Sequence, residues 1–257
     1  MSRYFVVNIG FLILLLVSLS IEGAFDVPLL WYVALAVSYI TINVFGSVVL
    51  SMQYFVPVKF KGNREQKAIA ITFDDGPMEG NTEKILDILS QYKVPAAFFC
   101  IGNRVTKQPR LVERIDAEGH LLGNHSYLHA ATFDLQSAAM ITKELEDTDT
   151  AIAQATGKKP RFFRPPYGVT NPMVAKAIRK RNYTVIGWSI RSFDTVIKDR
   201  NKLLDRVTKP LRGGDIVLFH DYSSSMLDIL PAFLDHVKKL GLKVVRVDEL
   251  VNEKAYG

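Results

Sequence analysis

The sequence predicts an α/β fold in which parallel strands alternate with helices and close into a single barrel. Beyond Asn63, short apolar runs alternate with amphipathic segments, which is the pattern of repeated strand–helix units. Seven strands in about 190 residues fit one closed barrel better than an open sheet beside a second domain. The predicted strands are residues 67–73, 96–101, 120–123, 161–163, 183–188, 215–219 and 243–247.

The intervening helices are indicated by apolar residues three and four positions apart and by capping signals. Ile85 and Leu89 mark the apolar face of the first helix, and Pro109 suits the first turn of the second. Asn171, followed by Pro172, is an N-cap signal for the fourth helix. Periodic apolar residues indicate the third, fifth and sixth helices, at 141–152, 203–207 and 227–240.

Residues 1–58 predict a membrane anchor made of two helices. Apolar runs without charged residues cover 4–21 and 29–50, and at about 1.5 Å per residue each can cross the hydrocarbon core. The break between them contains acidic residues and a proline, which indicates a turn and therefore a transmembrane hairpin. We expect the rest of the chain to divide into a linker at 59–66 and a globular domain at 67–257.

Two further questions concern this segment. Arg3 and the small residues Ser18 and Ser20 are also compatible with a cleaved signal peptide, although the second apolar run would still stop transfer. For a hairpin, the flanking basic residues lie at its two outer ends and the connecting turn has only acids, so the positive-inside rule favours a cytoplasmic domain. These basic residues are Arg3, Lys59, Lys61, Arg64 and Lys67.

The overall composition excludes several classes of function. The chain carries 32 basic and 26 acidic residues, and this modest excess suits contact with an anionic membrane surface or an anionic substrate. No basic run with interleaved aromatic residues indicates a nucleic-acid partner. No glycine-rich phosphate loop follows a strand, so we expect no nucleotide cofactor. The single cysteine, Cys100, lies in an apolar run and is expected to be buried.

Titratable residues follow five of the predicted strands, and in a barrel of parallel strands these ends meet at one mouth. His125 and His129 are four residues apart, so both imidazoles lie on one face if the segment forms a helical turn. Alone, Asp74 and Asp75 are typical of a solvated turn. Together with the histidines, one of these acids completes a set that leaves positions open for water, as in catalytic zinc or iron sites.

Four short motifs stand at these strand ends: Thr72-Phe73-Asp74-Asp75-Gly76, His125-x-x-x-His129, Arg164-Pro165-Pro166-Tyr167 and Leu218-Phe219-His220. In this order they resemble four of the five motifs of the polysaccharide deacetylases of carbohydrate esterase family 4, the NodB-homology domain. The resemblance covers roughly residues 67–250. It implies a distorted (β/α)7 barrel and metal-dependent removal of N- or O-acetyl groups from sugars.

The resemblance also implies a role for each polar residue at the centre of the site. Asp75, His125 and His129 match the metal ligands, Asp74 matches the catalytic base, and Arg164 matches the arginine that orients the base. The implied cofactor is a divalent metal, with Zn²⁺ as first choice and Co²⁺, Ni²⁺, Fe²⁺ or Mn²⁺ as alternatives.

Further residues match the walls of the site and the acid. The backbone amide of Tyr167 matches the oxyanion donor, and Leu218 matches the wall of the acetyl pocket. His220 matches the general acid and Asp194 the carboxylate paired with it. Trp188 is expected either to line the site or to belong to the core.

The remaining motif of the family, Asp-x-x-Asp-Trp, reads Arg191-Ser192-Phe193-Asp194-Thr195 in this chain. Asp194 keeps the pattern, whereas Arg191 and Thr195 depart from it. The missing tryptophan normally lines the acetyl pocket, so the resemblance leaves the preferred acyl group open.

We therefore expect a metal-dependent hydrolase, anchored in the inner membrane of a bacterial cell, that removes N-linked acetyl or formyl groups from an amino sugar. A domain facing outward would meet a cell-wall or exported polysaccharide. A domain facing the cytoplasm would meet a lipid-linked glycan, as bacterial lipid-linked aminosugar deformylases do. From a different class, the chain could be a catalytically inactive, membrane-anchored carbohydrate-binding module, which the altered motif at Thr195 would favour.

Overall fold

A curled sheet of nine parallel strands forms the centre of the computed structural model, which describes residues 2–257. The strands are β1 (Val58–Lys59), β2 (Ala68–Gly76), β3 (Ala97–Cys100), β4 (Leu121–Asn124), β5 (Phe162–Phe163), β6 (Thr184–Ile186), β7 (Ile190–Arg191), β8 (Ile216–His220) and β9 (Lys243–Val244). Their order in the sheet is β1-β6-β5-β4-β3-β2-β8-β7, and β9 pairs with the beginning of β2.

Helices precede the sheet and connect its strands. Two long helices at the N-terminus are α1 (Arg3–Phe25) and α2 (Leu29–Val48). The later helices are α3 (Asn81–Tyr92), α4 (Gly102–Lys107), α5 (Pro109–Ala117), α6 (Ala138–Thr156), α7 (Pro172–Arg181), α8 (Arg200–Thr208), α9 (Ser224–Lys239) and α10 (Val247–Val251).

The structure confirms the predicted α/β class and the distorted barrel. Each of the seven predicted strands is present, and β1 and β7 are additional strands of two residues each, too short to show a period of two. Within residues 2–257, the sheet path ends at β1 and at β7 without pairing between them. The barrel is therefore open between these two strands, whereas the sequence predicted closure.

Strand β2 lies at the centre of the sheet and is buried on both faces. Ile69, Ile71 and Phe73 pack in the largest core cluster with apolar residues of α3 and α9. Ala70, which points to the opposite face, packs with residues of the neighbouring strands and α10. β2 is hydrogen-bonded to β3 on one side and to β8 on the other, so its position sets the positions of both neighbouring strands.

Helices α1 and α2 are long and apolar enough to cross a membrane, and nearly all of their surface is exposed. Their mean hydropathies over an 18-residue window are 2.4 and 1.7. Length and composition of this kind fit either a pair of membrane spans or an N-terminal signal sequence.

The segment after α2 is packed against the globular domain rather than extended from it. Leu50, Tyr54 and Phe55 are buried in a core cluster with residues of α7 and β6. The amide of Thr170, in the loop before α7, donates to the carbonyl of Ser47 at 3.0 Å. The end of α2 is thus in direct contact with a loop that leads away from the strand end of β5.

The burial of β2 predicts a large cost for truncation of its side chains. Ile71→Ala should lower the free energy of unfolding by about 2–5 kcal/mol, because the side chain is fully buried and its removal leaves a cavity. The measurement is denaturant unfolding of the full-length protein in detergent, followed by circular dichroism. Val196→Ala is the control: this side chain is 72% exposed, so the change should stay within about 0.5 kcal/mol. Equal effects of the two substitutions would contradict the central position of β2.

Candidate active site

Asp74 and Asp75 lie within the end of β2, where a β-bulge directs both carboxylates to the same side. Asp74 is paired with Phe99 of β3, but Cys100 is paired with Gly76, so Asp75 is the extra residue of the bulge. Its φ of 70° is in the left-handed region. The sequence predicted that the strand ends at Phe73 and is followed by a turn; β2 instead continues to Gly76.

His125 follows β4, and its orientation is set by a neighbouring backbone group. Its amide donates to the carbonyl of Cys100 at 3.0 Å, and its Nδ1 donates to the carbonyl of Arg164 at 2.7 Å. With Nδ1 protonated, Nε2 carries a free lone pair, and it lies 3.3 Å from Oδ1 of Asp75.

His129 reaches the same carboxylate from an irregular loop. Its Nε2 lies 3.2 Å from Oδ1 of Asp75. Residues 125–129 do not form a helical turn, the condition under which spacing alone would place both imidazoles on one face, because Ser126 and His129 have φ values of 63° and 52°. Glu144 holds this loop, since one of its carboxylate oxygens accepts from the amides of both Tyr127 and Leu128 at 3.1 Å.

The cluster of Asp75, His125 and His129 fits a divalent metal. Their ligand atoms lie within 4.8 Å of one another. Oδ1 of Asp75 is buried and has no hydrogen-bond partner within the described residues, which is costly unless a cation is bound there. Burial lowers the pKa of His129 and favours the neutral imidazole that binds metals.

Arg164 is fully buried beneath this cluster and binds the other aspartate. One guanidinium nitrogen donates to Oδ1 of Asp74 at 2.6 Å and to Oγ1 of Thr72 at 2.9 Å. The remaining nitrogens donate to the carbonyls of Ile186 and Gly187. All three guanidinium nitrogens therefore have hydrogen-bond partners, and the contact with Arg164 fixes the orientation of the Asp74 side chain.

His220, at the end of β8, is paired in register with Asp74 and hydrogen-bonded to Asp194. Its Nδ1 lies 2.8 Å from Oδ1 of Asp194, and its amide donates to Oδ2 at 2.9 Å. Burial works to lower the pKa of His220, but the hydrogen bond and charge of Asp194, together with the charges of Asp74 and Asp75, outweigh it and raise the pKa above its ordinary value. Ser192 donates to the same carboxylate at 2.7 Å and helps to hold it.

A pocket of about 490 Å³ opens above these groups. Arg164 and Asp194 are not among its lining residues, because they lie buried behind Asp74 and His220. The predicted site residues that line it are Asp74, Asp75, His125, His129, Tyr167, Trp188, Leu218 and His220.

Tyr167 and Trp188 form one wall of this pocket. Tyr167 has a φ of 58°, and its ring centroid lies 4.7 Å from that of His129. Gly168 permits the wall to pack tightly, since a Cβ at this position would lie 2.5 Å from the ring of Trp188. Trp188 also packs against the core cluster that includes Leu50, so it fulfils both roles that the sequence left open.

The structure adds pocket residues that the sequence did not single out. Arg104 lines the pocket and donates to the backbone carbonyl of Asp75. Arg191 and Thr195, noted only as departures from a motif, line it as well. Arg104 lies just beyond the end of β3, and this position at a strand end is the one signal that could have identified it.

Three other titratable residues, Asp221, His120 and His236, do not line the pocket. Asp221 is buried and accepts from the hydroxyl of Thr82 at 2.6 Å, and burial raises its pKa to about 7. His120 is buried elsewhere, with its Nδ1 accepting from the amide of Ala96, and burial lowers its pKa to about 4. His236 lies on α9.

Comparison with known proteins identifies the family. A family profile described as polysaccharide deacetylase matches residues 61–186. The peptidoglycan-N-acetylmuramic acid deacetylase PdaA of Bacillus subtilis is 33% identical over 199 residues, which cover 76% of this chain and 75% of that protein. The crystal structure of a peptidoglycan N-acetylglucosamine deacetylase matches with a TM-score of 0.74 at 28% identity, covering 77% of this chain and 94% of the other.

A further solved structure, of a Bacillus anthracis protein described as a CE4 family pseudoenzyme, matches with a TM-score of 0.71 at 30% identity. It covers 77% of this chain and 70% of the other. The chain belongs to the polysaccharide deacetylase family, carbohydrate esterase family 4. The predicted enzyme class is thereby confirmed: a hydrolase of carbon–nitrogen bonds other than peptide bonds, which deacetylates amino-sugar glycans.

The pairing of His220 with Asp194 predicts a shift in pH dependence. Asp194→Asn removes the first-named of the carboxylates that raise the pKa of His220, so the imidazole should lose its proton at lower pH. Deacetylase activity that needs protonated His220 should then fall earlier as the pH rises. The measurement is kcat/KM of the metal-loaded protein from acidic to alkaline pH. Asp205→Asn, at an exposed position on α8, should keep the wild-type profile. If the alkaline limb of the pH profile does not move in Asp194→Asn, the assignment of His220 as the proton donor is refuted.

Proposed function

We propose that this protein is a membrane-anchored, metal-dependent deacetylase that removes N-linked acetyl or formyl groups from an amino sugar. The observation that carries the proposal is the convergence of three groups at one pocket. These are the cluster of Asp75, His125 and His129, the Asp74–Arg164 pair and the His220–Asp194 pair. Together they offer a metal site, a base and an acid for hydrolysis of an amide.

Asp75, His125 and His129 would hold the metal, with Zn²⁺ as first choice and Co²⁺, Ni²⁺, Fe²⁺ or Mn²⁺ as alternatives that accept the same ligand types. When bound, a divalent metal supplies Lewis acidity and lowers the pKa of water toward neutrality.

The protein's own side chains account for the proton transfers. Asp74, oriented by its hydrogen bond with Arg164, accepts a proton from the attacking water. The backbone amide of Tyr167 donates a hydrogen bond to the oxyanion, which forms on the carbonyl oxygen of the acyl group when water adds to its carbon. Protonated His220 gives its proton to the sugar nitrogen as the carbon–nitrogen bond breaks, which releases the acid and a free amine. Leu218 and Trp188 supply apolar surface for the acyl group.

The substrate is an amino sugar either in a polysaccharide or in a lipid-linked glycan. The names of the relatives, which are peptidoglycan deacetylases, support a cell-wall polysaccharide. The basic residues that flank the apolar helices support a cytoplasmic domain and a lipid-linked glycan. The contact of Ser47 with Thr170, three residues beyond Tyr167, supports a site close to the membrane surface in both cases.

In this proposal residues 1–58 form the anchor, residues 59–66 the linker and residues 67–257 the catalytic domain. The apolar character of α1 and α2 supports the anchor. Because β1 lies at 58–59 and pairs with β6, the end of the anchor is part of the sheet.

A second candidate function is a catalytically inactive, membrane-anchored carbohydrate-binding module. Two observations favour it: the altered motif at Arg191 and Thr195, and the similarity to a protein described as a pseudoenzyme. The hydrogen bonds of Asp74 with Arg164 and of His220 with Asp194 support the active enzyme instead.

Metal content and activity should separate the roles of the two aspartates. Asp75→Ala and His125→Ala should lose both bound metal and deacetylation, because each removes a ligand. Asp74→Asn should keep the metal, because all three ligands remain, and lose about 10²–10⁴-fold in kcat, because the base is removed. Elemental analysis of the purified variants and acetate release from N-acetylated oligosaccharides are the measurements. Metal retention with full activity in Asp75→Ala, or glycan binding without turnover by metal-loaded wild type, would reject the enzyme assignment.

Fusions after Gly257 should report the membrane side. We expect a reporter that works only outside the cytoplasm to be inactive and a reporter that works only in the cytoplasm to be active. The protein should also stay in the membrane fraction after alkaline carbonate extraction. The reverse reporter pattern would place the domain outside and favour the cell-wall substrate, and release of a shortened chain would favour the signal peptide.

A further inference from the structure

Arg191 places a positive charge in the pocket wall next to the acyl site. It ends β7, where its register partner is Leu218 of β8, so the two side chains point to the same face of the sheet. Both residues line the pocket that contains Asp75 and His220. Arg191 is exposed, and among residues 2–257 it takes part in none of the arginine ion pairs, which involve Arg64, Arg114, Arg164, Arg181 and Arg246.

The guanidinium of Arg191 is held by aromatic rings rather than by a carboxylate. Its Cζ lies 4.9 Å from the ring centroid of Phe193 and 5.7 Å from that of Trp188. Such stacking orients the planar group while leaving its edge N–H donors available. A guanidinium that is oriented but unpaired is suited to bind an anion from solution.

A second guanidinium approaches the same ring and increases the local positive charge. Cζ of Arg206 lies 4.3 Å from the centroid of Phe193, and its Nε donates to the carbonyl of Arg191 at 3.0 Å. Two like charges beside one ring repel each other, and an anion bound near them would offset that repulsion.

The acidic groups of the pocket have other partners. Asp74 is paired with Arg164, and Asp75 faces His125 and His129. Arg104, the other arginine of the pocket, donates to the backbone of Asp75. The positive charge of Arg191 is therefore not neutralised by the acidic groups of the pocket and is available to a ligand bound there.

We propose that Arg191 recognises an anionic substituent of the substrate, a carboxylate or a phosphate, while the acyl group lies at the cluster of Asp75, His125 and His129. This inference rests on the proposed deacetylase function and makes Arg191 a residue that determines specificity. A guanidinium binds either anion through two parallel N–H···O hydrogen bonds. The carboxylate would come from a lactyl-substituted amino sugar, and the phosphate from a glycosyl phosphate such as the head of a lipid-linked sugar.

The test compares three substrates with metal-loaded, full-length protein in detergent: a neutral N-acetylglucosamine oligosaccharide, an oligosaccharide containing N-acetylmuramic acid, and N-acetylglucosamine 1-phosphate. Arg191→Gln should reduce the preference for the favoured anionic substrate over the neutral one by roughly tenfold, and the loss should lie in KM more than in kcat. Arg191→Lys should retain part of the preference. Arg110→Gln, an equal charge change at an exposed position on α5, should retain all of it. If Arg191→Gln loses the preference for N-acetylmuramic acid, the recognised anion is a carboxylate. If it loses the preference for N-acetylglucosamine 1-phosphate, the recognised anion is a phosphate.

Salt and binding measurements separate this inference from the proposed function. Added salt should weaken the preference of wild type for the anionic substrate and have little effect on that of Arg191→Gln. Calorimetry with the base variant Asp74→Asn, alone and combined with Arg191→Gln, gives affinities that need no turnover. Equal affinity for charged and neutral sugars in Asp74→Asn, or an equal loss for both on adding Arg191→Gln, would overturn the inference. Tighter binding of the charged sugar with no deacetylation by wild type would overturn the enzyme assignment alone.

Discussion

The buried ion pair between Arg164 and Asp74 is the interaction on which the rest of the site depends. A fully buried guanidinium is stable only with complete compensation, and loss of one partner typically costs about 3–5 kcal/mol. The guanidinium of Arg164 donates hydrogen bonds to Asp74 of β2 and to the carbonyls of Ile186 and Gly187 at the end of β6. Its own carbonyl accepts from Nδ1 of His125. One residue thus sets the orientation of the candidate base and of a candidate metal ligand.

The second constraint is backbone strain at the strand ends. Residues other than glycine rarely adopt the left-handed region, and each such position costs about 1–3 kcal/mol unless its surroundings hold it. Here the surroundings are specific: Glu144 binds the loop amides beside His129, and Ser192 binds Asp194. This organisation holds the polar groups in position before substrate binds. The positive-φ residues of the site are Asp75, Ser126, His129, Tyr167 and Phe193.

The N-terminal segment and the site share one packed region. Trp188 lines the pocket on one side and contacts the cluster around Leu50 and Tyr54 on the other, and Ser47 binds the loop that follows Tyr167. The wall of the pocket is therefore built partly on the end of α2. This arrangement relates the position of the site to the position of the two apolar helices, which a flexible linker would not do.

The α/β class, the strands that carry polar ends and half of the residues that line the pocket could be predicted from the amino-acid sequence alone. These follow from local information. A strand is recognised as a short apolar run, and strands that run parallel have their C-terminal ends at the same edge of the sheet. The open barrel, the bulge at Asp75, the support from Glu144 and the charge of Arg191 in the pocket became visible only in the folded structure. Each of these depends on the register or contact of segments far apart in the chain, for which a single sequence contains no signal.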